Sequence, residues 1–311
     1  MAAVELHKLN GDTSWLVRLP TSSDAAATAC FYNLVLDPWL HPTPQVDGSP
    51  FFSRQTRIDS AAFPSLAQLD QWLRSQSSEG YIDAILFSHP FTDHLHPETL
   101  TDEDSLAVLQ RATIFTTGDS LSALRSLRIK LDAERLVNLS SIAVKHDADQ
   151  QGANLPNGIS IEHLSAKDWA LSPAWAKLHG GILISCNDSA QKVKVLYSPH
   201  GITPTSLPSD LHFKPDGEKR VLIHSFDRQT LPLIGTVACG IPNVLHLIPS
   251  FKPDIILATH DEHKRGEGVV GLLLSRQSFS LDHAQQLVRD THPQSSCVLT
   301  QLSPGQHITI T

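Results

Sequence analysis

Ile82-Asp83-Ala84-Ile85-Leu86-Phe87-Ser88-His89-Pro90-Phe91-Thr92-Asp93-His94-Leu95-His96-Pro97 is the stretch on which the fold turns. Ile82–Phe87 is a short, nearly continuous apolar run, the pattern of a strand covered on both faces. It runs without a break into three histidines and an aspartate. Pro97-Glu98 then opens a helix, because proline is favoured in a first helical turn. A rigid strand thus delivers a polar loop, and loops leaving strand ends commonly carry sites.

Working outward, strands come first: Val4–Leu9, Trp15–Leu19 and Phe31–Leu36, the first two separated by the turn residues Asn10-Gly11-Asp12. Residues 41–63 are rich in Pro, Ser and Gly and read as a long surface loop over a site. A helix is predicted over Ser65–Arg74 and another over Asp119–Leu127, with strands at Thr113–Thr117 and Arg135–Leu139. From Ile159 the pattern returns to strands: Ile159–Leu164, Gly181–Cys186, Val193–Tyr197, Val221–His224 and Ile255–Thr259. A helix at Ser280–Asp290 and closing strands at Cys297–Leu302 and His307–Thr311 complete the chain. With no repeat or low-complexity linker, residues 1–311 are expected to form one domain. Two similar halves of strands and helices predict an α/β (α+β type) architecture, two sheets face to face with helices outside.

The composition sets limits. The chain has 311 residues, 41% hydrophobic and 18% charged, with net charge −8 and pI about 6.1. Such a chain can bury a large core. No Lys/Arg run exceeds two residues, which argues against a nucleic-acid partner. The apolar runs are far too short to cross a membrane. Cys30, Cys186, Cys239 and Cys297 form no CxxC pair, so they are read as buried small hydrophobes in a reducing, cytoplasmic protein. The 17 histidines approach the 24 Lys plus Arg in number, so histidine chemistry is the first to test.

Two further strands end in histidine. Val193–Tyr197 leads to His200, and Ile255–Thr259 leads to His260-Asp261-Glu262-His263. Imidazole plus carboxylate at rigid strand ends suits Zn, Fe(II) or Mn. Read alone, Asp93 is as good a helix cap and His200 a turn residue. Taken together, three strand ends favour a metal.

The stretch His89-Pro90-Phe91-Thr92-Asp93-His94 resembles the His-x-His-x-Asp-His hallmark of the metallo-β-lactamase fold superfamily. The resemblance extends to the turn at Leu36-Asp37-Pro38-Trp39 and to Ala258-Thr259-His260, and so covers roughly residues 4–270. It implies a four-layer αββα sandwich. Two departures matter. Phe91 replaces the second histidine, and His200 stands where relatives usually place a bridging aspartate. The resemblance therefore implies one retained metal held by Asp93, His94, His200 and His260, with His89 a further ligand or a general base. Zinc is the default and Fe or Mn the alternatives. The third first-site ligand, expected within Ile159–Asp168 near His163 and Lys167, stays unassigned.

A metal-dependent hydrolase of a small-molecule ester, thioester, lactone or amide follows from this resemblance. Asp93, His89, His96 and His224 are its catalytic candidates, with Asp261 a further acid–base group. The rival readings are a non-catalytic binding protein on the same fold and an Fe(II)-dependent oxidoreductase. His96 and His224 each have a bland alternative, as a loop-bonded and a core histidine. Glu262 and His263 are read as a solvated turn, Lys167 as an exposed surface lysine, Phe91 as a pocket wall, and Trp169 and Trp175 as packing residues. The oligomeric state is left open.

Overall fold

The computed structural model describes residues 3–21, 30–78, 80–140, 155–167, 177–187, 191–232 and 234–311. β1 (Val4–Lys8) and β2 (Trp15–Pro20) form a hairpin, and β3 (Phe31–Leu36) adds antiparallel to β2. β4 (Gln45–Asp47) and β5 (Ser53–Thr56) make a small hairpin where the sequence predicts only loop. Gln-Val-Asp and Ser-Arg-Gln-Thr hold one apolar residue between them, so no alternation betrays these strands. α1 (Leu66–Gln76) starts at Ser65, whose hydroxyl accepts the Gln68 N–H, and it buries Leu66, Leu69 and Leu73.

β6 (Ala84–Phe87), α2 (Pro97–Thr101), α3 (Glu103–Arg111), β7 (Thr113–Thr116), α4 (Gly118–Ser126) and β8 (Leu136–Asn138) complete the first half. β9 (Ile159–Ser165), β10 (Gly180–Asn187), β11 (Lys192–Ser198) and β12 (Glu218–His224) follow. Next come β13 (Arg228–Leu231), β14 (Gly235–Ala238), α5 (Gly240–Phe251) and β15 (Ile255–Ala258). The chain closes with β16 (Arg265–Glu267), α6 (Gly268–Leu273), β17 (Ser275–Gln277), α7 (Leu281–Thr291), β18 (Val298–Thr300) and β19 (His307–Ile310). The sequence reading has no helix at α5. Pro249 lies inside its last turn, where proline removes a backbone donor, and this masked an otherwise apolar segment.

The strands build a seven-stranded sheet, β19-β1-β2-β3-β6-β7-β8, and a six-stranded sheet, β18-β15-β12-β11-β10-β9. Leu34, Leu36, Leu86, Ile184, Val195 and Ile223 belong to the core cluster between them. Leu69, Leu73 and Leu109 of α1 and α3 cover the outer face of the first sheet against Ile85 and Ile114. Val244 and Leu247 of α5 and Val288 of α7 cover the second against Leu222 and Ile256. β12 shows why these strands read as continuous apolar runs. Val221 and Ile223 point to the inter-sheet core and Leu222 to the helices, so both faces are dry. The four layers are those of the expected αββα sandwich. Among the described residues, no helix is long and apolar enough to cross a membrane.

Candidate metal centre

Parallel pairing brings the polar loops to one edge. β3 and β6 pair with Leu36 opposite Leu86, so Asp37 and Ser88-His89 leave the first sheet side by side. β11, β12 and β15 are parallel, with Ser198 opposite His224 and His224 opposite Ala258, so His200 and His260 emerge from the second sheet together. His260 and Asp37 both hold left-handed backbone, with φ of +61° and +43°. For residues with a Cβ this costs about 1–2 kcal/mol each, and it re-aims the side chain sharply at a strand end.

Two groups of buried ligand atoms result, His89–His94–His200 and Asp93–His94–His260, each within 4.8 Å of one another. His94 Nε2 lies 2.9 Å from His200 Nε2 and 3.8 Å from Asp93 Oδ1, and His260 Nε2 lies 3.8 Å from Asp93 Oδ2. The opposite nitrogen of each ring is held from outside. Nδ1 of His89 pairs with the Ser88 hydroxyl at 2.6 Å, that of His94 with Asp37 Oδ2 at 2.7 Å, that of His200 with the Val237 carbonyl at 3.0 Å, and that of His260 with Asp12 Oδ1 at 2.8 Å. Metal-binding histidines show this pattern, a second partner fixing ring orientation while the other nitrogen faces the ion.

The charges agree. Burial, together with the neighbouring histidines, holds His89 and His200 well below the usual histidine range, so both are neutral donors. Burial works to raise the Asp93 carboxyl, but His94, Lys264 and His260 outweigh it and the net shift is down. Burial lowers His94, yet Asp37 and Asp93 raise it further than burial lowers it. Lys264 Nζ lies 2.7 Å from Asp12 Oδ2 and 3.4 Å from Asp93 Oδ2, inside the site.

Asp93, His94, His200, His260 and His89 therefore come together. His96 does not join them: among the described residues it is in neither group. It is the N-cap of α2, its Nδ1 3.0 Å from the Thr99 hydroxyl and 3.3 Å from the Thr99 backbone nitrogen, and its ring stacks on Trp39. His224 is likewise a satisfied core residue, 2.8 Å from Asn243 Oδ1 and 2.7 Å from the Ser225 carbonyl. Asp261 accepts the Phe226 and Asp227 N–H groups and serves the backbone. Glu262, read as solvated, is buried and accepts the N–H groups of Ile58 and Asp59. His263 and Lys167 are exposed as expected. Trp169 and Trp175 lie outside the described residues.

Sequence reasoning missed Asp12, Lys264 and Tyr197, and it took Asp37 only for a turn residue. Asp12 sits in a turn that looked like hairpin punctuation, and its one signal was an acidic residue in a stretch that is otherwise buried. The Tyr197 hydroxyl lies 2.7 Å from Asp37 Oδ2 and 3.0 Å from the Thr13 carbonyl. Lys264 follows His260 by four positions, and no motif in the sequence marks it.

Two cavities flank the cluster. One of about 180 Å³ is largely apolar and opens on Asp93, His200, His260 and Lys264, with Phe52, Phe91, Ile234, Val270 and Leu274 in its wall. The other, about 300 Å³, is lined by His89 together with His163, His179 and Lys177. His163, in the region expected to supply a further ligand, pairs with the Ser140 hydroxyl at 3.2 Å and lines this second cavity.

No protein-family model matches the sequence, and no curated protein matches it. Solved structures do. An isothiocyanate hydrolase from Delia radicum gut bacteria superposes with TM-score 0.57 at 15% identity, over 98% of this chain and 98% of that one. The metallo-β-lactamase fold protein YhfI from Bacillus subtilis gives TM-score 0.50 at 13% identity, over 99% and 100%. CmlA, a diiron β-hydroxylase from Streptomyces venezuelae, gives TM-score 0.54 at 12% identity, over 100% of this chain and 55% of that one. The chain has the metallo-β-lactamase fold. At such identities the likeness establishes architecture, and the chemistry must be argued from the site itself.

Proposed function

We propose that the protein is a metal-dependent hydrolase of a small carbonyl compound, an ester, thioester, lactone or amide, using a single ion, zinc by default. Asp93, His94, His200 and His260 would hold the ion, with His89 beside it. The observation that carries this reading is the tethering of four imidazoles through their Nδ1 atoms, which gathers them with Asp93 into two overlapping groups that share His94. The donor set, neutral imidazole and carboxylate, fits such an ion.

When bound, a divalent ion supplies Lewis acidity, acidifying water and polarising a carbonyl. The chain's own residues do the rest. Asp93 stays ionised and offers a carboxylate to a proton at the cavity floor. Lys264 places a buried ammonium beside it, a donor positioned for charge developing on a substrate oxygen. The wall that includes Phe91 and Val270 excludes water from the organic part of the substrate. Phe91 stands in this wall and leaves the cavity open to the cluster, which favours an enzyme over a plugged binding protein. The likeness to CmlA keeps iron-dependent oxygen chemistry as a second reading.

The test is elemental analysis of the wild type and of Asp93→Ala/His260→Ala, with a panel of esters, thioesters and lactones. About one zinc per chain, lost in the variant together with turnover, is the expected result. One iron with oxygen consumption would replace hydrolysis by the second reading. No metal after attempted reloading would overturn both.

A further inference from the structure

The apolar cavity holds only about 180 Å³, below the ~300–1,000 Å³ common for small-molecule sites. Its apolar lining continues past the mouth. Val270 and Leu274, four residues apart, line the cavity with Phe52 and Ile234. On the adjoining face Val269, Leu272 and Leu273 are 48%, 86% and 49% exposed, and Phe51 is 88% exposed. The Phe51 carbonyl accepts the Val269 N–H at 3.1 Å, and the Phe52 carbonyl accepts the Val270 N–H at 2.9 Å. The β4–β5 turn and α6 are therefore stitched into one ledge. Phe52 and Ile234 belong to both ledge and cavity, being 48% and 39% exposed while lining its wall.

Contiguous exposed apolar side chains mark interaction sites. We propose that this ledge is the outer half of the substrate subsite and carries an aliphatic arm too long for the cavity. The reacting carbonyl would lie at the inner end, beside Asp93, His200 and His260. The polarity gradient selects this occupant. Asp93, His200, His260 and Lys264 line one part of the cavity, the rest is mostly apolar with Gln45, Asp47, Ser53, Gln55 and Gln229 interspersed, and the ledge carries apolar surface outward, which matches a molecule with a polar head and a hydrocarbon tail. A second copy seated on the ledge would close the mouth. The inference rests on the hydrolase reading for the reacting group and on the surface alone for the tail.

The test uses zinc-loaded protein and a series of 2-alkanones, carbonyl compounds that are not hydrolysed: 2-pentanone, 2-octanone and 2-undecanone, titrated by calorimetry. Affinity is expected to rise about two- to fourfold per added methylene, the upper figure corresponding to full burial. In Phe51→Ser/Leu272→Ser the 2-undecanone affinity should fall about tenfold while that of 2-pentanone holds. Both side chains are exposed, and circular dichroism checks that the fold persists. Equal chain-length dependence in wild type and variant would overturn the proposal. So would a dimer, or binding to phosphatidylcholine vesicles, that the double substitution abolishes without changing alkanone affinity. Intact chain-length dependence with no ester turnover would remove the hydrolase reading and leave the subsite standing.

Discussion

Asp37 Oδ2 lies 2.7 Å from His94 Nδ1, joining two residues 57 positions apart in the loops that leave two adjacent parallel strands. The same carboxylate accepts hydrogen bonds from the Ser88 backbone and hydroxyl and from the Tyr197 hydroxyl, and it is fully buried. It therefore fixes which nitrogen of His94 faces the cluster. Asp37→Asn should weaken metal affinity about 10–100-fold, the usual cost of losing such a partner. Tyr197→Phe should cost less, since His94 keeps its carboxylate. Competition with a chromophoric chelator measures both, and an unchanged affinity in Asp37→Asn would refute this role.

His94 and His96 lie two residues apart and should respond in opposite ways. His94→Ala should lose the metal. His96→Ala should keep it and lose about 1 kcal/mol of stability as the α2 cap goes. Metal analysis and urea denaturation of the two variants separate the roles, and metal loss in His96→Ala would contradict the capping assignment.

Lys264 offsets two buried carboxylates, Asp12 and Asp93. Lys264→Met should destabilise the metal-free protein by roughly 3–5 kcal/mol, the cost of leaving a buried charge without its partner. A divalent ion should restore part of this loss, so the difference between variant and wild type narrows on zinc addition. Denaturation with and without zinc reads it, and an equal deficit in both states would count against a shared charge balance.

Asp83 lies away from the site, and burial raises its carboxyl to about 6, against the lowering effect of the Asn33 hydrogen bonds. A carboxyl raised on folding binds its proton more tightly in the native state. Its contribution to stability is therefore complete below about pH 4 and is lost as the pH climbs toward 6. Asp83→Asn keeps an acceptor for the Asn33 N–H and removes the ionisation. The variant should gain on the order of 1–2 kcal/mol relative to wild type between pH 4 and pH 7. Thermal melts across that range test the sign, and a constant difference would show that Asp83 does not titrate there.

Arg220 is fully buried. Its guanidinium donates to Glu218 and to the carbonyls of Leu211, Phe213 and Phe251, tying β12 to the end of α5. Arg220→Met should leave the three carbonyls without their donor and Glu218 with only Lys194, 3.9 Å away, and cost about 3 kcal/mol, read by urea denaturation, with metal content of the folded protein unchanged.

The layers and the loops of the candidate site were legible because strand and cluster coincide in sequence. Ile82–Phe87 and Ile255–Ala258 are short apolar blocks that stop at polar residues, and both the fold and His89, Asp93, His94 and His260 could be read from that boundary. Residues that act from a distance were not legible. Asp12 and Asp37 acquire meaning only when pairing of distant strands brings them behind the imidazoles, and Lys264 only when it is brought between Asp12 and Asp93. His96 was overread for the converse reason. It shares a strand end with His89, Asp93 and His94, yet its ring turns back to cap the helix it precedes. α5 and the β4–β5 hairpin escaped because proline and polar residues obscure their period, although tertiary packing holds them.

The contact between His260 and Asp12 spans 248 positions of the chain. During synthesis Asp12 and Asp93 are made long before His260 and Lys264, the groups that balance them. Closing so long a loop is slow, and it follows the pairing of β15 beside β12. The Asp93–His94–His260 half of the cluster can thus be completed only once the ribosome has passed residue 260, whatever local helices form first.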